Sequence, residues 1–113
     1  MTPLDKLIER YEQTPDDQIA KGALRIGDCF CVMGMACDIY REDTGQGEWV
    51  EGPDVRAFRF RGEMETLHSP WQVDDYFFGP EGFPPDLMDE NDGGHKAIVL
   101  TMLREAKEKN ATQ

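Results

Sequence analysis

Cys31-Val32-Met33-Gly34-Met35-Ala36-Cys37-Asp38-Ile39-Tyr40-Arg41 is the stretch whose reading decides the fold. Val32, Met35, Ala36 and Ile39 recur at the three-and-four spacing of a helix. Through Ala36 the run is apolar on nearly every side, and a helix without a polar face belongs inside a protein. The segment is therefore expected to be a buried central helix. Gly34 within it costs roughly 1 kcal/mol against alanine, which is most simply accounted for by another backbone lying close.

Two helices are expected before it. Leu4, Leu7, Ile8 and Tyr11 repeat at helical spacing, and Thr2-Pro3 supplies a cap followed by a good first helical residue, giving a helix over about 3–13. Thr14-Pro15 repeats the device, with Asp16 and Asp17 in a first turn where negative charge is favourable. The apolar stripe Ile19, Ala20, Ala23 and Leu24 predicts a second helix ending near Gly27, and Asp28-Cys29-Phe30 is then a short link.

After the central helix, Thr44-Gly45-Gln46-Gly47 breaks the chain. Glu48 to Glu51 alternates as a short strand would. Asp54 to Leu67 is the best strand candidate, because Phe58 and Phe60 alternate with Arg59 and Arg61. Ser69-Pro70 starts a short helix through about Phe78, with Val73, Tyr76 and Phe77 inside and Asp74 and Asp75 outside. Gly79 to Pro85 holds too much Gly and Pro for regular structure. Asp86 to Glu90 makes one helical turn. The last helix covers about Gly94 to Lys109, with Ile98, Val99, Met102, Leu103 and Ala106 facing the core. The expectation is an α+β fold: a single helix-rich domain, 1–113, of four to five helices with a small antiparallel β patch in the middle of the chain and a frayed tail at 110–113.

Charge is distributed unevenly. The formal net charge is -11. From Gly62 to Gly94 there are nine acids and no Lys or Arg, while the other 80 residues hold 14 acids against 12 bases. A basic footprint for nucleic acid or an anionic membrane is missing, so direct binding to either is not expected. No apolar run approaches the roughly 20 residues of a membrane span. Met1 to Asp5 has neither the basic stretch nor the apolar core of a secretory leader. A cytoplasmic location with three reduced cysteines follows as the expectation.

Little in the chain points to catalysis. Cys29-x-Cys31 and Cys37 with His68 or His95 would complete a zinc tetrad on paper, but the spacing lacks the usual knuckle. Small buried thiols account for all three, and their apolar or acidic neighbours do not favour a reactive thiolate. Asp89-Glu90-Asn91-Asp92-Gly93-Gly94 resembles a calcium loop only at first glance: with Gly94 as the sixth position the twelfth is Leu100, where a bidentate Glu is needed. Asn91 or Asp92 capping the last helix is the simpler reading. No phosphate-binding loop, dinucleotide fingerprint or nucleophile elbow occurs. No enzyme activity and no cofactor are expected.

The acidic block remains. It carries five of the aromatic residues, and carboxylates that steer beside rings that anchor make a protein-binding surface. Trp71, Phe78 and Phe83 are the rings expected at the surface. The candidate partner-binding set is Trp71, Asp74, Asp75, Phe78, Glu81, Phe83, Asp86, Asp89 and Glu90. The block begins where the Arg59/Arg61 strand ends, and cross-strand pairing with those arginines would neutralise part of it.

Lys21-Gly22-Ala23-Leu24 leading into Cys31-Val32-Met33-Gly34-Met35-Ala36-Cys37-Asp38 resembles small uncharacterised proteins of phages and bacteria. These carry a Cys-(Val/Leu)-(Leu/Met)-Gly helix and a later Asn-Asp, often with Gly, that opens a C-terminal helix. Asn91-Asp92-Gly93-Gly94 and Ile98 to Ala106 match that second part. The resemblance covers about half the chain and departs at Glu90, where an apolar residue is expected. It implies a phage or mobile-element product acting in a bacterial cytoplasm, and no mechanism. The expected function is a non-enzymatic acidic interaction protein that binds a basic surface of a host protein, in its sharpest form by mimicking the phosphates of DNA. The alternatives are a small metal-binding module or enzyme using the Cys/His set or the Asp89–Gly94 loop, and a structural or accessory phage protein.

Overall fold

A computed structural model of the protein describes residues 2–22, 25–49, 54–55, 58–59, 71–79 and 82–111. The first helix, α1 (Pro3–Gln13), starts at a reciprocal cap: Thr2 Oγ1 accepts from the Asp5 N–H at 3.2 Å, and Asp5 Oδ2 accepts from the Thr2 N–H at 3.1 Å. These two bonds satisfy donors that a helix start leaves without partners. Leu4, Leu7 and Tyr11 form its buried face.

The second expected helix does not form. Only a single 3-10 turn, Asp16–Gln18, follows Thr14-Pro15. The chain then extends: Ile19 bridges Phe30 in parallel, and the Ala20 N–H donates to the Phe30 carbonyl at 3.1 Å. Gly22 at φ 77 lies in the left-handed region, which a helix cannot use. Arg25–Ile26 is strand β1 and Cys29–Phe30 is strand β2, joined as a hairpin by Gly27-Asp28 with Gly27 at φ 58. Ile19 and Ala20 are buried as expected, but from extended backbone; Ala23 and Leu24 lie outside the described residues.

The central helix forms as α2 (Val32–Thr44), and every residue from Val32 to Tyr40 is buried. Its cap is Cys31, whose Sγ accepts from the Gly34 N–H at 3.2 Å, and it stops at Gly45, whose left-handed backbone closes a bond back to Arg41. Glu48–Trp49 (β3), Asp54–Val55 (β4) and Phe58–Arg59 (β5) supply the β patch. Strand β1 lies between β2 and β4, and β3 pairs with β5, all antiparallel. In that register Arg59 is opposite Glu48; Arg61 and the first acids of the block, Glu63 and Glu65, lie outside the described residues. Phe60 to Leu67 lie outside the described residues.

Helix α3 (Trp71–Phe78), the short α4 (Leu87–Asp92) and α5 (Lys96–Ala111) complete the fold. Helix α2 contacts α1, α3 and α4, and α5 contacts α1, α3 and α4. The architecture is α+β, with helices around α2 and a small β patch. No described helix is long and apolar enough to cross a membrane.

Two expectations for the C-terminal third fail. Asn91 and Asp92 end α4 and do not cap α5. Asn91 is 1% exposed and turns inward. Its Oδ1 accepts from the Val32 N–H at 3.0 Å and from the Tyr11 hydroxyl at 3.4 Å, and its Nδ2 donates to the Ala20 carbonyl at 2.9 Å. The first turn of α2, the extended segment after the 3-10 turn, and α1 are thus joined at one amide. Ile98 is 48% exposed, while Val99 and Leu103 are buried beside it: the inner stripe of α5 runs through 99 and 103, about 100° round the helix from Ile98.

Asn91→Leu keeps the volume and strands two buried backbone groups, the Val32 N–H and the Ala20 carbonyl. Each such group costs about 1–3 kcal/mol, so urea denaturation should show a loss of at least about 2 kcal/mol. Asn91→Asp, which keeps the acceptor for Val32 and loses the donor for Ala20, should also be destabilised.

Candidate functional site

The described part of the acidic block divides by what its carboxylates do. Asp92 Oδ1 accepts from the Gly22 N–H at 2.9 Å and from Asn91 Nδ2 at 3.2 Å, tying α4 to the turn at Gly22. Glu90 Oε2 lies 2.6 Å from His95 Nδ1 across the turn between α4 and α5. Asp75, Asp86 and Asp89 are exposed, and among the described residues no ion pair or hydrogen bond holds their carboxylates. Asp86 has φ 67, a left-handed conformation that short polar residues tolerate better than most, and it leads directly into α4. The side chains of Trp71 and Asp74, and all of Glu81, lie outside the described residues.

The rings behave differently from the expectation. Phe78 is 1% exposed and belongs to the core. Helix α3 is only eight residues long but packs against α1, α2 and α5. More than one of its faces is therefore covered, and its last residue is enclosed with Val73 and Phe77. Tyr76 is half-buried, edge-on to Tyr40 at 5.2 Å between ring centroids, and its hydroxyl donates to Asp43 at 3.0 Å. Phe83 is partly buried against the edge of the core.

Phe78, Phe83, Pro84 and Pro85 on one side, and Met102 and Ala106 of α5 on the other, line a surface groove of about 260 Å³, with Gly82, Glu105 and Lys109 also in its wall. Sequence reading did not find this groove, because Met102 and Ala106 were assigned wholly to the core. The available signal was the spacing 98, 102, 105 and 109, a second helical stripe beside the buried one.

The acids outside the block are largely engaged in folding. Asp38 of α2 is 6% exposed and accepts from Arg10 at 2.9 Å, from Arg41 at 3.1 Å and from Trp49 Nε1 at 3.1 Å. Arg10 also lies over the Phe30 ring at 5.2 Å, and Arg25 lies over Phe30 and Trp49, each at 5.9 Å. Burial alone would raise the Asp38 carboxyl, but the three donors outweigh it and hold the group below the usual aspartate value. Lys107 and Thr2 hold Asp5 down to about 2, and Lys6 together with Tyr76 lowers Asp43.

Two of the three cysteines, Cys31 and Cys37, are buried as expected, whereas Cys29 is only partly buried. Cys31 caps α2 with its sulfur, and burial pushes its thiol up to about 11 against the lowering effect of the Gly34 and Met33 N–H groups. Such a thiol is neutral at pH 7 and a poor nucleophile. Cys37 is buried within α2. Among the described residues no three His, Cys, Asp or Glu side chains come together as metal ligands; His68 lies outside them. The side-chain oxygen of Asn91 and the Oδ1 of Asp92 already accept protein hydrogen bonds.

No protein-family model, curated protein or solved structure matches this chain.

Because Asp5, Asp38 and Asp43 are all lowered on folding, the folded protein binds fewer protons than the unfolded chain at acid pH. Their stabilisation is complete above the unfolded value of 3.8 and is lost as pH falls through the lowered folded values, about 2 in the case of Asp5. Asp38→Asn should cost about 1–2 kcal/mol at pH 7 and should flatten the acid limb of a stability-against-pH curve measured by urea denaturation. An unchanged acid limb would show that Asp38 is not lowered on folding.

Proposed function

We propose that the protein is a non-enzymatic acidic interaction module that docks on a basic surface of another protein. The observation that carries this reading is the division of labour among its carboxylates. Asp5, Asp38, Asp43, Glu90 and Asp92 are engaged within the molecule, whereas Asp75, Asp86 and Asp89 are exposed and, among the described residues, unpaired. Three unpaired carboxylates on a chain of net charge -11 attract a basic partner over a range of about a Debye length, 8 Å at physiological salt. Such charges raise the association rate and set specificity more than they add affinity. The partly exposed Phe83, three residues before Asp86, supplies an apolar contact of the kind that holds a complex once formed.

The resemblance to small phage and bacterial proteins gives the setting of this proposal: a mobile-element product in a bacterial cytoplasm, with a basic host protein as partner. A surface that mimics DNA is the less favoured form. Duplex DNA carries one charge per about 1.7 Å of axis, and the internal use of Glu90 and Asp92 removes two of the nine acids from such an array.

Affinity capture from bacterial lysate tests this reading. The Asp75→Asn/Asp86→Asn/Asp89→Asn variant should melt within about 2 °C of wild type, because surface changes of this kind stay within about 0.5 kcal/mol. It should lose the basic partner that wild type retains. Raising the salt to about 0.5 M should release that partner from wild type as well. Capture that survives both treatments would sink the proposal.

A further inference from the structure

We propose that the groove between the 82–85 loop and α5 receives an apolar side chain from a cationic amphipathic helix of the partner protein. This rests on the acidic-docking reading above and names the chemistry of the partner segment. The groove volume of about 260 Å³ falls below the roughly 300–1,000 Å³ of small-molecule pockets and suits one large apolar side chain, or two small ones. The α5 wall extends beyond the groove. Ile98, Met102, Glu105 and Lys109 are spaced i, i+4, i+7 and i+11, so they lie along one stripe of the helix. That stripe is about 16 Å long at 1.5 Å per residue, three turns of a helix laid beside it. Ile98 at its start is the more exposed of the two large apolar side chains that the described surface leaves most open, the other being Ile26 on the β patch.

Charge chooses between occupants. Glu105 and Lys109 line the groove and offset each other, while exposed Asp86 directly follows Pro85 in its wall and exposed Glu108 lies beside Lys109 on α5, leaving the surroundings acidic. A second copy of this chain would bring another net charge of -11 to the same surface and be repelled. A helix with Lys and Arg flanking an apolar stripe is attracted by the acids and anchored by the groove, the helix-in-groove mode of recognition.

The probe is a synthetic helix of roughly 12–15 residues with Leu at i, i+4 and i+7 and Lys elsewhere, compared with the same peptide carrying Ala for Leu. Both are titrated into the full chain by isothermal calorimetry and by amide-shift mapping. The Leu peptide should bind at least about tenfold tighter than the Ala peptide of equal charge, with shifts at Phe83, Ile98 and Met102. Ile98→Ser, at an exposed position, should reduce that advantage without changing the melting temperature, and Ile98→Ser/Met102→Gln should abolish it. Equal binding of the two peptides overturns the groove as an anchor and leaves the acidic reading standing. If neutralising Asp75, Asp86 and Asp89 changes neither peptide's binding while Ile98→Ser still does, the acidic reading falls and the groove stands. A concentration-dependent doubling of mass by sedimentation, abolished by Ile98→Ser, overturns the partner helix in favour of a second copy.

Discussion

A buried side-chain amide at Asn91 joins three segments that lie far apart in sequence. The first turn of any helix leaves backbone N–H groups without partners, and the start of α2 is fully buried, where water cannot supply them. Asn91 reaches from α4, 59 residues away in sequence, to accept from Val32. The same side chain satisfies the carbonyl of Ala20, which belongs to an extended segment paired to β2 rather than to a helix. Neither group has a regular-structure partner available. Removing the amide exposes two desolvation costs at once, which is why a residue usually found at surfaces is 1% exposed here.

That constraint orders its surroundings. With α4 pinned against α2, the carboxylate of Asp92 comes within reach of Gly22 and Lys96 reaches the carbonyls of Glu12 and Thr14 at the end of α1. Lys96 thereby places positive charge at the negative end of α1, where it is favourable. On the other side of α2, Asp38 gathers Arg10, Arg41 and Trp49 and ties α1 and the β patch to the central helix. Polar groups fix the register of the helices at these points, and apolar burial supplies the bulk of the driving force. Asp75, Asp86 and Asp89 of the acidic block, exposed and without an ion pair among the described residues, have no such task.

Several elements were legible in the sequence because they depend on neighbours within a few residues. Thr2-Pro3 with Asp5 is a local capping box, and it forms. The apolar character of the run through Ala36 predicts a buried helix, and every residue from Val32 to Tyr40, Asp38 included, is buried. Thr14-Pro15-Asp16-Asp17 is an equally good local start, yet it yields one 3-10 turn. The helix it would begin is overridden by pairing of Ile19 and Ala20 with Phe30 and by the left-handed backbone at Gly22. The Gly27-Asp28 pair between Ile26 and Cys29 was the hairpin signal that outweighed the helical stripe. The candidate site was legible in part: exposure of Asp75, Asp86 and Asp89 follows from charge, but Phe78 is enclosed because three helices meet around α3.

By itself the sequence determined the composition of the surface and the core. It fixed the excess of acid in one third of the chain, the apolar central helix, the helix starts whose caps are local, and the mixed α+β class, since each depends on side-chain chemistry and short-range geometry. Only the tertiary structure decided which acids are engaged and which stand free, whether Asn91 caps a helix or fastens three segments, and which stripe of α5 meets the core. Those outcomes depend on partners tens of residues away, and a hydrogen bond between Asn91 and Val32 leaves no trace in the residues adjacent to either.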